Sequence, residues 1–233
     1  MNSIIHSDYS TGKFSFYNAD NMEIMKCYPD KYFELAIVDP PYFKGVASGS
    51  FYGSKVSKSG VKRLCSKSDV WDNNIPTQKY YDELIRISKN QIIWGINYFD
   101  FVGVPHGRVI WDKINDTSTF SNCEIASNSF SNGVFIYREL WNGMLKSEKG
   151  KRIHVSQKPI ALYSWLIKKY AKQGDKILDT HLGSGSIALA IDKANKLDGM
   201  DLSFVGIELD KDYFDAAINR FKDNSRQTAF NFE

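Results

Sequence analysis

The residues with the most chemistry to offer are Asp39-Pro40-Pro41-Tyr42, which follow directly on the apolar run Phe33-Glu34-Leu35-Ala36-Ile37-Val38. A run of this kind, closed by a carboxylate and two prolines, reads as a buried strand whose last residue projects into a crevice while the prolines stop the ladder. Each proline fixes its own φ and pushes the residue before it out of the helical region. The Asp39 carboxylate, the Pro40 carbonyl and the Tyr42 ring are therefore held with little entropy left to lose. Two acceptors beside an aromatic face suit a planar group carrying an NH2, since the acceptors take its two hydrogens and the ring stacks on the tyrosine. An exocyclic amine of a nucleobase has that shape. The same residues also make an ordinary strand-ending turn, and the rest of the chain has to decide between the two.

A second group lies near the other end. Lys176-Ile177-Leu178-Asp179 reads as a short strand, Thr180-His181-Leu182-Gly183-Ser184-Gly185-Ser186 as a glycine-containing turn, and Ile187 to Ala194 as a helix. The glycines let backbone approach a ligand closely, and the N–H groups at the helix start favour electron-rich partners. About twenty residues on, Ser203 to Ile207 reads as the next strand, with Glu208 at its end, where an acidic side chain can hydrogen-bond both hydroxyls of a ribose. A dinucleotide-binding oxidoreductase is the competing reading. It wants Gly-x-Gly-x-x-Gly, whereas Ala188 stands at the third glycine position, and it leaves Asp39-Pro40-Pro41-Tyr42 unexplained.

Together the two groups resemble the S-adenosylmethionine-dependent amino-methyltransferases of DNA, in the branch whose catalytic motif precedes the cofactor motif. Asp39-Pro40-Pro41-Tyr42 matches the family's catalytic tetrapeptide in the Asp form typical of adenine-N6 methylation; cytosine-N4 enzymes more often carry Ser first. Asp179-Thr180-His181-Leu182-Gly183-Ser184-Gly185-Ser186 is similar to the cofactor motif Asp-Pro-Phe-x-Gly-Ser-Gly-Thr, departing from it at Thr180 and His181. His154-Val155-Ser156-Gln157-Lys158-Pro159 resembles the His-Pro-x-Gln-Lys-Pro signature, with Val155 for its first proline. Asn18-Ala19-Asp20 occupies the place of a Gly-Asp segment whose acid meets the cofactor's adenine amine. Ile92 to Phe99, Val109 to Lys113, and Phe204 to Asp210 with Tyr213 and Arg220 also look like family segments. The resemblance runs from about Asn18 to Phe221.

It implies S-adenosylmethionine as cofactor and DNA as partner, with the sequence class of phage and bacterial restriction-modification enzymes. Asp39, Pro40, Pro41 and Tyr42 are then catalytic. The cofactor residues it implies are Asp20, Asp179, Thr180, His181, Gly183, Ser184, Gly185, Ser186 and Glu208, together with Gln157, Lys158 and Pro159. Family members of this order often form homodimers. The chemistry needs no covalent intermediate and no metal. Asp39 and the Pro40 carbonyl accept the N6 hydrogens, localise the lone pair on nitrogen and stabilise the charge that develops there. A base inside a duplex cannot reach such a pocket, so it must flip out onto Tyr42. The alternatives that keep this fold are cytosine N4, an RNA adenine, or a relative that binds nucleic acid without catalysis.

Just beyond the tetrapeptide, Lys55, Lys58, Lys62, Arg63 and Lys67 form a basic, Ser- and Gly-rich stretch without an acidic residue. It reads either as a DNA-backbone contact or as a solvated loop. Lys149, Lys151 and Arg152, with Arg138 and Trp141 upstream, form a second candidate contact. Cys27, Cys65 and Cys123 are distant from one another and show no Cys-x-x-Cys spacing, so neither a disulfide framework nor a zinc site is indicated.

Positioning these residues requires strands that end on one edge. Strands are expected at Phe33–Val38, Gln91–Trp94, Arg108–Trp111, Val134–Tyr137, Lys176–Asp179 and Ser203–Ile207. Helices are expected near Asn21–Cys27, Thr77–Lys89, Ile160–Ala171 with Ser156 as cap, Ile187–Ala194 and Lys211–Asn224. Their alternation predicts an α/β fold with a doubly wound, mostly parallel sheet, and the resemblance makes it a Rossmann-like class I methyltransferase of permuted motif order. Asp20, Asp39, Asp179 and Glu208 should then meet in one crevice at the carboxyl ends of the strands. At 233 residues, 42% hydrophobic, a single domain is expected over residues 1–233, with residues 43–74 as a basic polar insertion. The net charge of +3 permits a nucleic-acid partner without requiring one. No apolar stretch reaches the roughly 18 residues needed to cross a bilayer, and the first residues lack a signal-peptide pattern. A cytoplasmic protein of a bacterium or a phage-infected host is expected.

Overall fold

The computed structural model describes residues 6–41, 75–116, 121–141, 153–154 and 157–230, the last five of these as backbone only. Nine strands form one sheet: β1 (Tyr9–Thr11), β2 (Phe14–Asn18), β3 (Phe33–Val38), β4 (Ser88–Trp94), β5 (Gly107–Asp112), β6 (Cys123–Asn128), β7 (Val134–Arg138), β8 (Lys176–Asp179) and β9 (Ser203–Glu208), in the order β1-β2-β9-β8-β3-β4-β6-β5-β7. The centre, β2-β9-β8-β3-β4, is parallel throughout. Asn18 lies beside Glu208, Asp179 beside Gly206 and Val38 beside Ile93, so these strands end together on one edge.

The sheet is mostly parallel, as expected, with exceptions at its flanks. β6 runs antiparallel to both β4 and β5, and β1 antiparallel to β2. Neither β6 nor the β1–β2 hairpin is among the strands expected from the sequence, although Phe14-Ser15-Phe16 alternates as a strand does. Cys123-Glu124-Ile125-Ala126-Ser127-Asn128 has few β-branched or aromatic residues, and its place in the sheet is set by neighbours on both sides. The hairpin turns over Gly12-Lys13 and offers Phe14 and Phe16 to the core.

Helices α1 (Asn21–Met25) and α2 (Gln78–Ile87) cover one face, and α3 (Ile160–Tyr170), α4 (Ser186–Asp198) and α5 (Lys211–Phe230) the other. Successive strand residues divide between the two cores. Leu35, Ile37 and Ile177 pack with α3, α4 and α5, while Ala36, Val38 and Leu178 pack with α1 and α2, as the two-residue period of a strand requires. The buried stripe of α2 is Tyr80, Tyr81, Leu84 and Ile87. The helix expected to Lys89 stops at Ile87 because Ser88 turns extended and starts β4, its hydroxyl bonded to the Leu84 carbonyl and the Gln91 amide. Pro159 occupies the N-cap position of α3; Ser156 lies outside the described residues. Among the described residues, no helix is long and apolar enough to cross a membrane.

The β5–β6 register depends on Gly107. A Cβ there would stand 1.8 Å from the Ser131 carbonyl oxygen and 2.4 Å from that of Asn128, both backbone atoms that cannot rotate away. Gly107→Ala should destabilise the fold by about 1–3 kcal/mol, the range for forced overpacking. Urea denaturation checks this, and an unchanged midpoint would mean that the 128–133 turn yields freely.

Candidate active site

Asp39 follows β3 directly, its side chain 14% exposed and ion-paired with the Lys158 ammonium, itself 2% exposed. Lys158 reaches it from the segment ahead of α3 and stands 3.0 Å from Glu124 Oε2 on β6. Glu124 Oε1 lies 2.7 Å from Lys113, just past β5. Four charges of alternating sign thus run through the interior as Asp39, Lys158, Glu124 and Lys113. Both ammonium groups sit over tryptophan rings, Lys158 at 5.3 Å from the Trp94 centroid and Lys113 at 5.1 Å from that of Trp111. Burial pushes Asp39 up from the ordinary carboxylate range, and Lys158 pulls it back. Burial acts the same way on Glu124, but Lys158 and Lys113 outweigh it and hold Glu124 at about 2. Asp39 Oδ1 is buried and has no hydrogen-bond partner among the described residues. A buried acceptor without a partner is suited to a donor brought by a ligand.

The glycine turn lies between β8 and α4. Gly183 has φ +51° and Gly185 φ +68°, left-handed values that glycine adopts without a Cβ clash. Glu208, at the end of β9, accepts from Gly183 N through Oε2 (2.8 Å) and from Asp210 N through Oε1 (2.9 Å). The His154 ring packs edge-on to Tyr213, centroids 4.3 Å apart, and lies 3.6 Å from where a Cβ of Gly183 would stand. Ser184 and Ser186 are buried, their hydroxyls 3.1 Å apart, and Arg220 of α5 donates to the Ser184 carbonyl and the Ser186 hydroxyl. Those side chains brace the turn from behind. Asp179 is pushed up to about 8 by burial, countered by the His181 N–H and reinforced by the neighbouring charges of Asp39 and Glu208. The three carboxylates feel one another at the strand ends.

Thr180 and His181 form a polar clasp. The Asn21 amide lies 3.0 Å from His181 Nε2, His181 Nδ1 is 2.9 Å from Thr180 Oγ1, and Thr180 Oγ1 is 2.6 Å from the Tyr80 hydroxyl. Burial holds the imidazole down to about 3, so it is neutral. With Asn21 donating to Nε2, the ring proton sits on Nδ1 and is donated to Thr180.

The structure thus brings together Asp39, Lys158, Asp179, Thr180, His181, Gly183, Gly185 and Glu208. Pro40 is buried and Pro41 half-buried beside Asp39. Gln157 is buried, its side chain accepting from Ile153 N, and so supports the segment that presents Lys158. Lys158 itself, grouped with the cofactor residues in the motif resemblance, meets Asp39. Asp20 is exposed and serves as N-cap of α1, accepting from Met22 N at 2.7 Å. Tyr42, Lys55, Lys58, Lys62, Arg63, Lys67, Lys149, Lys151 and Arg152 lie outside the described residues. Arg138 pairs with Asp112 at 3.1 Å, and Trp141 packs edge-on against Trp111.

Glu124 belongs to none of the sequence motifs, and Lys113 closes the family-like segment Val109 to Lys113 without a role assigned to it there. The sequence signal for Glu124 is only a charged residue in a segment that the sheet buries. Tyr163 also adjoins this group without belonging to any motif. It is buried on α3, and its hydroxyl is held far up by burial and by the charge of Asp39.

The model of the N6/N4 DNA methylase family matches residues 64–219, which take in the glycine turn and Glu208 and begin after Asp39-Pro40-Pro41-Tyr42. The chain is 23% identical over 260 residues to the type II methyltransferase M.ScaI of Streptomyces caespitosus, covering 92% of this chain and 83% of that protein. It is 25% identical to M.HinfI of Haemophilus influenzae, covering 88% and 67%. Among solved structures, the M1.HpyAVI–SAM complex superposes with a TM-score of 0.57 at 22% identity, covering 89% of this chain and 98% of that one. The PvuII DNA methyltransferase, a cytosine-N4-specific enzyme, gives 0.56 at 12% identity, covering 94% and 93%. These likenesses show the same fold. By this family match, and in keeping with its fold, the chain belongs to the N6/N4 family of S-adenosylmethionine-dependent DNA methyltransferases.

Proposed function

We propose that this protein methylates the N6 amine of an adenine flipped out of DNA, with Asp39 accepting one amine hydrogen. The observation that carries this reading is Asp39 Oδ1, a buried acceptor without a partner among the described residues, on a carboxylate kept in place by Lys158. The Asp form of the tetrapeptide supports adenine over cytosine. An aromatic amine is a poor nucleophile because its lone pair is delocalised into the ring. Hydrogen bonds from its two N–H groups to Asp39 and the Pro40 carbonyl localise that pair, and the same acceptors stabilise the positive charge that develops on nitrogen. S-adenosylmethionine supplies a methyl group already activated by its sulfonium. The nitrogen lone pair forms the new N–C bond, the C–S electrons stay with sulfur, and the extra proton leaves the nitrogen toward Asp39 or solvent.

The residues present fit the cofactor. The donor is a nucleoside bearing positive charge, and the strand ends offer the carboxylates Asp179 and Glu208 beside the Gly183 turn. Each carboxylate oxygen has two acceptor sites, so Glu208 can hold Gly183 N and Asp210 N and still accept from ribose hydroxyls. A role in a restriction-modification pair, as the type II relatives suggest, fits the same activity.

Asp39→Ala should abolish methyl transfer while S-adenosylmethionine affinity stays within about threefold, a change below 1 kcal/mol. The wild-type product should be N6-methyladenine. Nucleoside mass spectrometry checks both, and N4-methylcytosine alone would transfer the reading to cytosine.

Glu208→Ala should weaken S-adenosylmethionine binding by about 1.5–3 kcal/mol, the range for hydrogen bonds to a charged group. Calorimetry showing wild-type affinity would remove Glu208 from the cofactor site.

Asp179 generates a pH prediction. Its folded pKa of about 8 exceeds the unfolded value of about 3.9, so the folded protein without cofactor keeps a proton that the unfolded chain has lost. The stability contributed by this group is complete below pH about 4 and is lost as pH rises through about 8. A cation bound nearby favours the ionised form, so binding near pH 7 should release a proton and affinity should rise with pH toward about 8. Binding enthalpies should accordingly differ between phosphate and Tris buffers; equal enthalpies would detach Asp179 from the cofactor.

A further inference from the structure

We infer that Glu124 and Lys113 are positioning residues for the methyl-transfer step: Glu124 divides the Lys158 ammonium between itself and Asp39, and Lys113 limits how strongly Glu124 can do so. The inference rests on the reading of Asp39 as acceptor of the amine hydrogens, and goes beyond it by adding two residues, one on β6 and one just past β5, that never touch the base.

The geometry is continuous. Lys158 is ion-paired with Asp39 and stands 3.0 Å from Glu124, and Glu124 is 2.7 Å from Lys113. Side-chain exposure is 14% for Asp39, 2% for Lys158, 20% for Glu124 and 13% for Lys113. The tryptophan rings against the two ammonium groups further exclude water. Stability alone does not account for such a row. Buried ion pairs cost desolvation that their attraction often fails to recover, and apolar residues of similar volume generally do as well or better.

A charge relay of this kind does have a use beside an acceptor carboxylate. If Lys158 faced Asp39 alone, it would draw the carboxylate's electron density to itself and leave a weak acceptor for the amine. Glu124 takes up part of that positive charge, so Asp39 keeps its basicity while remaining anchored. Lys113 offsets Glu124 in turn and keeps it from capturing Lys158 entirely. The row is neutral as a whole, which keeps the crevice from accumulating positive charge beside a sulfonium.

Among the described residues, the charged and titratable groups around Asp39 are Lys158 ahead of α3, Glu124 on β6, Lys113 after β5, Tyr163 on α3 and Asp179 on β8. Tyr163 stays neutral through the accessible pH range, and Asp179 is common to every variant below. The signs are therefore set by the row itself. Removing the negative charge of Glu124 makes Asp39 easier to ionise, and removing the positive charge of Lys113 makes it harder.

The test is the pH profile of single-turnover methyl transfer from a preformed complex of enzyme, S-adenosylmethionine and DNA, for wild type, Glu124→Gln, Lys113→Met and Lys113→Arg. The acid limb should move to lower pH in Glu124→Gln and to higher pH in Lys113→Met, by about one unit each, the lower end of the effect of a near charge. Lys113→Arg should keep the wild-type limb. The plateau rate of Glu124→Gln should fall about tenfold, a fraction of a general-base contribution, with S-adenosylmethionine affinity and KM for DNA within about threefold. A purely structural row would change stability and leave the limb in place. Either charge-removing variant decides alone, because each has its own sign, so a failure of one to fold leaves the other to settle the question. Coincident limbs, or shifts of the opposite sign, overturn the inference. Asp39→Ala run alongside separates the two readings: transfer persisting there defeats the role of Asp39 itself, whereas a dead Asp39→Ala with unmoved limbs defeats only the relay.

Discussion

A carboxylate removed from water at the end of a buried strand requires a counter-charge, and the ion pair of Asp39 with Lys158 supplies it. Desolvation costs several kcal/mol per ion, so Asp39 can stand at the head of the crevice only because Lys158 reaches it from 119 positions along the chain. The pair ties the end of β3 to the start of α3, and through Glu124 and Lys113 it extends to β6 and β5. The flank where the sheet departs from parallel order is the flank that carries the second half of this row. An antiparallel β6 between β4 and β5 brings Glu124 level with Trp111, its partner in register, and so beside Lys113.

The opposite side of the crevice is built from backbone shape. The Gly183 turn is stitched to β9 by Glu208 and by the Leu182 N–H, which donates to the Ile207 carbonyl. Arg220 holds it from α5. Where the family carries a proline and an aromatic residue, this chain has Thr180 and His181, and their hydrogen bonds to Tyr80 and Asn21 join β8 to α2 and α1. The three elements are thus held together by a polar clasp. It works because the imidazole is neutral, so burial leaves no uncompensated charge.

Charge organisation divides the two halves of the reaction. The cofactor side gathers carboxylates whose mutual repulsion a cation relieves. In the proposed reading the base side keeps the buried Asp39 Oδ1, without a partner among the described residues, beside a neutralised row. Under the proposed function, a nucleoside sulfonium and an uncharged amine would meet between environments suited to each, with the methyl group crossing from the acidic side to the acceptor side.

The amino-acid sequence by itself determined the parts whose meaning is local. A strand ended by Asp39-Pro40-Pro41, a turn with glycines at 183 and 185, and an acid at 208 after the next strand each follow from backbone preferences within a few residues. The alternation of strands and helices follows from hydrophobic period, which reads α2 through α5 and strands β3, β4, β8 and β9 with only their ends displaced. Tertiary structure decided what depends on distant partners. β6 carries little preference for a strand in its own composition and takes its place from β4 and β5, and β2 joins the parallel sheet only by pairing with β9 far along the chain. Lys158 is part of a motif in sequence, but its contact with Asp39 arises only when α3 folds against β3. Glu124 and Lys113 are two ordinary charged residues until the sheet buries them side by side, because a charge takes its meaning from the partner that desolvation obliges it to find.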